Sequence, residues 1–195
     1  MSSLRRRAFL LALLSAIVAA ACSEPPEKEM SQAQGAIDAA RAAGADRYAV
    51  DEYKAAVDAL ARSREAVTLR DYRLALSLAL DARERAQDAA RVAATRRAAI
   101  RSEVEGTARR LTASLERAQE RLKAAQAARV PASDLAGSRT AIAEAERAVQ
   151  ETLTLLVKDE DLEAKARIDG VQPRIDAALQ AIERAIAARA ARRRR

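Results

Sequence analysis

The sequence predicts an all-α protein: elongated helical hairpins or a bundle with one long central helix, coiled-coil-like seams and no sheet. Three observations point there. Half of the 195 residues are hydrophobic by type, but alanine supplies about half of those, and aromatic residues make up 2%. Ala, Arg, Glu, Leu and Gln are strong helix formers, while the breakers number only 5 Gly and 4 Pro. Small and aliphatic residues also recur at alternating three- and four-residue steps, which lines one face of a helix. A core built largely of alanine buries little apolar area per residue, so helices laid side by side are favoured over a globule.

Residues 23–29 are polar and contain Pro25-Pro26, the composition of a short tether. Residues 30–43 carry a helical pattern that Gly44 is placed to stop. The next helix is expected to start near Asp46, with Ala49, Tyr53, Ala56, Leu60, Ser63 and Val67 as its apolar stripe. A turn near Thr68-Leu69-Arg70 leads to a long helical stretch over 71–129. Its first part has an alanine seam, Ala75, Ala79, Ala82, Ala86, Ala89 and Ala93, where a neighbouring helix can approach closely.

The later part of that stretch changes to Val104, Ala108, Leu111, Leu115, Ala118, Leu122 and Ala125, again at heptad steps. Arg96 falls on the stripe between the two seams, and Gly106 with the capping-box spacing Ser102-x-x-Glu105 marks a break point. One bent helix of about sixty residues is the expectation, near 90 Å at 1.5 Å per residue, with an interruption at 101–107 as the alternative. Pro131-Ala132-Ser133-Asp134 is a loop and helix start; the helix after it carries Leu135, Ile142, Ala145, Val149, Leu153 and Leu156. Lys158-Asp159-Glu160-Asp161 reads as the next turn. A final helical region holds Ile168, Val171, Ile175, Leu179, Ile182 and Ile186, interrupted by Gly170 and Pro173.

The N-terminus has a different character. Arg5, Arg6 and Arg7 precede an apolar run over 8–21, and Cys22, the single cysteine, stands where that run gives way to polar residues. The run is short for a membrane-spanning helix and has the basic, apolar, small-residue order of an export signal. Ala19-Ala20-Ala21-Cys22 resembles the bacterial lipoprotein signal, although Leu is usual where Ala19 stands. The resemblance implies cleavage before Cys22 and acylation of its thiol, hence a lasting hold on a membrane surface. A plain signal cut nearby, or an uncleaved anchor, would produce much the same layout. Ser23 after the cysteine fits delivery to the outer membrane, facing the periplasm. Arg6-Arg7-Ala8-Phe9-Leu10 also resembles the twin-arginine export pattern, but an ordinary basic segment ahead of a strongly apolar one suits the general route.

A second resemblance lies further on. Residues 42–53, Leu60, Arg70-Asp71-Tyr72-Arg73-Leu74-Ala75 and the Ala79, Ala82, Ala86 ladder are similar to an alanine-rich helical domain of unknown function in bacterial envelope lipoproteins. It spans about 33–94, and relatives often have Gly-Asp-Tyr where this chain has Arg70-Asp71-Tyr72. The resemblance implies a tetratricopeptide-like helical hairpin and no established activity. Residues 123–186 repeat the same scheme, with Asp161-Leu162 standing where Asp71-Tyr72 stood; alanine-rich helices also align with one another without common descent. The expected organisation is a signal at 1–21, the acylated cysteine and tether at 22–29, a helical domain at 30–129, a helical hairpin at 130–191 and a basic tail at 192–195.

Charge and chemistry narrow the function. The 35 Lys and Arg against 28 Asp and Glu suggest a basic protein, but setting aside Arg5, Arg6 and Arg7 and the tail Arg192, Arg193, Arg194 and Arg195 leaves 28 against 28. A nucleic-acid binder spreads its cations along a face and interleaves aromatic residues to stack on bases, so no nucleic-acid partner is expected. There is no histidine and no cysteine beyond Cys22, so His/Cys metal sites and Ser-His-Asp or Cys-His nucleophiles are excluded. No phosphate loop or dinucleotide fingerprint is present, and no cofactor is expected. The carboxylate pairs Glu103/Glu105, Glu144/Glu146 and Asp159/Glu160/Asp161 are read as solvated helix faces rather than a catalytic pair across a cleft. Tyr48, Tyr53 and Tyr72 flank the two ends of one helix, which suits packing more than ligand stacking. The arginine tail reads equally as a solvated end or as a contact for an anionic surface. The expectation is a non-enzymatic, lipid-anchored envelope protein that acts as a helical spacer or interaction module, through a protein partner or by self-association. A groove or tail that binds a cell-wall or anionic lipid component is the alternative.

Overall fold

The computed structural model describes residues 24–194. All of its regular structure is helical, and no strand occurs among the described residues. Among the described residues seven helices follow in order: α1 Glu27–Ala42, α2 Ala45–Tyr48, α3 Val50–Thr68, α4 Tyr72–Ala127, α5 Ala132–Val157, α6 Asp161–Ile168 and α7 Val171–Arg193. The chain packs as two compact units that divide between Arg96 and Arg97, inside α4. The loop near 130, where the sequence suggested a boundary, lies within the second unit.

The first unit combines α1, α2, α3 and the N-terminal part of α4. Its core is small: Ala33, Ile37 and Ala40 of α1 and Ala56, Ala59 and Leu60 of α3 are buried, as is every residue of the alanine seam on α4. Ser63 is buried with them, and its hydroxyl donates to the Ala75 carbonyl at 2.7 Å. Arg64 and Arg83 donate to Gln34 and Gln32, joining α3 and α4 to α1 on the solvent side. The helix α1 begins at Glu27 rather than near 30, and Pro26 is already buried, so the described tether is shorter than the sequence implied. On the stripe of α3, Val67 is only half-buried and its neighbour Ala66 takes the core position.

Gly44 ends α1 in a left-handed conformation (φ 82°), and Tyr48 lies so close over it that a Cβ there would meet the ring at 3.0 Å. Three other turns use non-glycine residues in the same region: Arg70, Arg129 and Asp159, with φ near 60°. Each follows one helix-capping pattern, in which two successive N–H groups fold back onto the last carbonyls of the helix. After α4, for example, Arg129 donates to Gln126 and Val130 to Ala125, and Val130 is buried.

The second unit contains the rest of α4 with α5, α6 and α7. Val104, Ala108, Leu111, Leu115, Ala118 and Ala125 face Leu135, Ile142, Ala145, Val149 and Leu156 of α5, and α6 and α7 add Ile168, Val171, Ile175 and Ile182. Leu153, expected on the buried stripe of α5, is 42% exposed; Thr152 is buried in its place with its hydroxyl donating to the Ala148 carbonyl. Nothing interrupts α4 at 101–107. Ser102 is exposed, Arg101 pairs with Glu105 one turn on, and an isolated glycine such as Gly106 costs a helix only about 1 kcal/mol. Gly170 does break the final region, whereas Pro173 is the third residue of α7, where its missing N–H leaves no intrahelical bond unmade.

Candidate functional site

The densest polar arrangement is at the turn between α5 and α6. The αL residue Asp159 reverses the chain, and Asp161 becomes the first residue of α6 with its side chain wholly buried. Arg97 and Arg101, one turn apart on α4, converge on it: Arg97 Nε reaches Oδ2 at 2.8 Å and Arg101 Nη1 reaches Oδ1 at 3.1 Å. Both arginines also hold Asp159, at 2.9 and 3.0 Å. Arg101 Nη2 also donates to the Leu156 carbonyl at 3.0 Å, which takes the Asp159 N–H at the end of α5 as well. The sequence placed all three carboxylates of this turn on a solvated face. Asp159 is there, but Asp161 is not. Its two carboxylate oxygens are each engaged by an arginine, so the arrangement clamps the turn onto α4 rather than offering a free base.

Four other carboxylates of the second unit are taken up singly, and Glu144 is exposed. Glu103 pairs with Lys165, Glu105 with Arg101, Glu151 with Arg167, and Glu146 accepts from Gln119. Among the described residues no group of three or more His, Cys, Asp or Glu side chains converges as a metal site requires. In the first unit, Glu52 has its carboxyl held below the usual range, chiefly by a backbone hydrogen bond, with the Arg96 guanidinium at 2.8 Å adding to the effect against partial desolvation. Arg96, the residue that broke the seam, thus leaves the stripe and reaches Glu52 and the Tyr48 carbonyl.

Tyr48 and Tyr53 are buried, with the guanidinium of Arg47 5.7 Å from the Tyr48 ring and that of Arg41 5.6 Å from the Tyr53 ring. The Tyr53 hydroxyl is buried and finds no partner among the described residues. Tyr72, the first residue of α4, is half-buried.

Two features face outward in the second unit. A groove of about 380 Å³ runs between α5 and α7, floored by Gly137, Ser138, Ala141, Ala177, Ala178 and Ala181, with Asp134 and Arg174 on its rim. It exists because both helices present small residues there, and the space a Cβ on Gly137 would fill is open. Across it the Ser138 hydroxyl donates to the Ala178 carbonyl at 3.3 Å. Beyond the frequency of alanine, nothing in the residue pattern announced this groove. The second feature is the end of α7, where Arg192, Arg193 and Arg194 are exposed. Cys22 and Arg195 lie outside the described residues, so the expected lipidation site and the last residue of the basic tail have no structural account.

Fold and side chains together define an all-α protein with two alanine-lined helical units, an internal ionic clamp and a small-residue groove. No family model, curated protein or solved structure matches the chain.

Proposed function

We propose that this chain is a bacterial envelope lipoprotein, held on a membrane by acylated Cys22, whose helical body serves as a non-enzymatic spacer or protein-interaction module. The observation that carries the reading is the order of segments at the N-terminus: three arginines, an apolar run, three alanines, then Cys22. A thiol at that junction is what lipid transfer requires, and two or more acyl chains hold a protein on a bilayer durably. Among the described residues no helix is long and apolar enough to cross a membrane. Ser23 favours the outer membrane, with the body facing the periplasm. The similarity of 33–94 to the alanine-rich domain of envelope lipoproteins supports the same address.

The interaction role has a specific surface in its favour, the groove between α5 and α7. A small-residue floor admits close backbone approach by a partner helix or chain, and the rim supplies one charge of each sign. The reading is tested by mass spectrometry of the N-terminal peptide from membranes of a bacterial host. A diacylglyceryl-modified Cys22 at the new N-terminus is expected, and a Cys22→Ala chain should lose processing and membrane retention. An unmodified cysteine in the mature protein would overturn the lipoprotein reading. Gly137→Leu fills the groove and should abolish capture of an envelope partner while leaving acylation intact.

A further inference from the structure

We propose that one end of the second unit, where α4 stops and α7 runs on, is a docking face for the phosphate headgroups of an anionic lipid surface, formed by Arg129, Arg189, Arg192, Arg193 and Arg194. The proposal takes only the nearness of a membrane from the lipoprotein reading. Its residues follow from the packing of the second unit.

Ser114 of α4 donates to Gln172 at the start of α7, and Arg121 pairs with Glu183 further along both, so the two helices point the same way. Counting six residues onward from the Arg121–Glu183 pair puts Ala127, the last residue of α4, level with Arg189. The residues 190–193 therefore continue about one turn, roughly 6 Å, past the end of α4. Arg129, in the turn that closes α4, lies at this same end and is exposed. Arg189 is half-buried, and its buried Nε has no hydrogen-bond partner among the described residues.

These cations exceed what the helix needs. A C-terminal dipole of half a charge favours cations in the last turn; α7 has Arg192 and Arg193 there and adds Arg194 at its C-cap and Arg189 just before the last turn, while Arg129 closes α4. Carboxylates at this end are few: Glu183 is held by Arg121, and Asp134 stands in the first turn of α5. At the opposite end Asp159 and Asp161 are held by Arg97 and Arg101, and Lys158 and Lys165 stand beside Glu160 and Glu163, so charges of both signs are interleaved there. The unbalanced positive charge of the second unit is thus concentrated at the α7 end.

The side chains between the arginines select the kind of partner. They are alanines, Ala187, Ala188, Ala190 and Ala191. A protein interface of useful affinity needs a large anchor in a pocket, and single-stranded nucleic acid needs aromatic rings to stack on. This end offers only fixed positive charge, which suits a surface of many laterally mobile phosphates. Each basic residue brought to an anionic bilayer strengthens binding by about fivefold, within a Debye length of about 8 Å.

The test uses the full chain carrying Cys22→Ser, so that no acyl chain contributes, and phosphatidylcholine vesicles with or without phosphatidylglycerol. The N-terminal segment is identical in every variant and cancels in the comparison. Arg129→Gln with Arg189→Gln should weaken binding to the anionic vesicles by about 25-fold although the tail is intact. Arg192→Gln, Arg193→Gln and Arg194→Gln together should weaken it by about 100-fold. A control of equal charge to the double variant, Arg62→Gln with Arg109→Gln, should change it by less than about twofold. Circular dichroism on every variant checks that the helices persist. Equal losses for the double variant and the control would overturn the proposal. So would arginine-dependent binding to inorganic phosphate or to poly-glutamate that exceeds binding to the vesicles, the first assigning a free anion and the second an acidic protein. Failure of Cys22 acylation would leave this result standing, and failure here would leave acylation standing.

Discussion

Replacing Asp161 by alanine removes the acceptor on which Arg97 and Arg101 converge. Breaking a buried ion pair by deleting one partner costs about 3–5 kcal/mol, because the other charge is stranded. Here the stranded arginines are 38% and 37% exposed and both retain Asp159, so the lower end applies, about 3 kcal/mol. Against a total domain stability of about 5–15 kcal/mol that is a large fraction. Asp161→Asn keeps an acceptor and loses the charge, and should cost about 1–2 kcal/mol. Asp159→Ala, at a side chain 68% exposed, should cost about 0.5 kcal/mol or less. Urea and thermal unfolding followed by circular dichroism measure all three. For a cooperative unit of about 100 residues, 3 kcal/mol lowers Tm by about 12–24 °C. A double-mutant cycle with Arg101→Ala should give a coupling above about 1 kcal/mol. If Asp161→Ala and Asp159→Ala melt together, near the wild type, burial of Asp161 adds nothing and the clamp reasoning fails.

Three further outcomes are expected. Leu111, 1% exposed, should lose about 2–5 kcal/mol on change to Ala, and the exposed neighbour Arg110 about 0.5 kcal/mol or less; matched unfolding curves for the two variants would show that the heptad seam of α4 is not buried in solution. Arg70→Gly should raise stability by about 0.5–1 kcal/mol, since glycine adopts φ near 60° without the penalty a Cβ brings, and an unchanged or lower Tm would refute that account of the turn. The lowered pKa of Glu52 means that its contribution is present above the ordinary value of 4.5 and fades as pH falls through the lower folded value. In Arg96→Gln the carboxyl midpoint, followed by NMR, should move upward but stay below 4.5, because the backbone hydrogen bond remains; a midpoint unmoved by the change would remove Arg96 from the cause.

Helix type and packing faces were legible because they rest on periodicity. Every alanine of the first seam of α4 is buried, and the heptad positions from Val104 to Ala125 all face the core, Leu122 packing against it while half-buried. What escaped the sequence are events that depend on partners distant along the chain. Asp161 looks like one more acidic turn residue until Arg97 and Arg101, more than fifty positions earlier, are brought against it. The turns near Arg70 and at 158–161 were expected, but the left-handed backbone at Arg70 and Arg129 was hidden, since arginine, unlike aspartate at 159, does not signal it. The same turns correct the suggested internal alignment. Arg70 and Asp159 hold the equivalent αL position, so Tyr72 corresponds to Asp161, and Asp71, which caps α4 through the Leu74 N–H at 3.0 Å, corresponds to Glu160. Leu153 and Thr152 exchange roles for a simpler reason: on a helix they are 100° apart, and a threonine hydroxyl that bonds back to Ala148 can occupy the inner position.

The alanine seam of α4 has a translational degeneracy. Because Ala75, Ala82 and Ala89, and likewise Ala79, Ala86 and Ala93, present the same surface every seven residues, a helix displaced by one heptad along it meets an almost unchanged wall. Apolar contact alone therefore does not choose among these positions, and the choice falls to groups that occur once. Arg83 is such a group: a slipped α1 loses its Gln32 contact, whereas the buried Ser63 hydroxyl, now at the Ala75 carbonyl, would meet an equivalent helical carbonyl one heptad away if α3 slipped. In this unit a few polar side chains set the vernier, and the alanines supply only the rail.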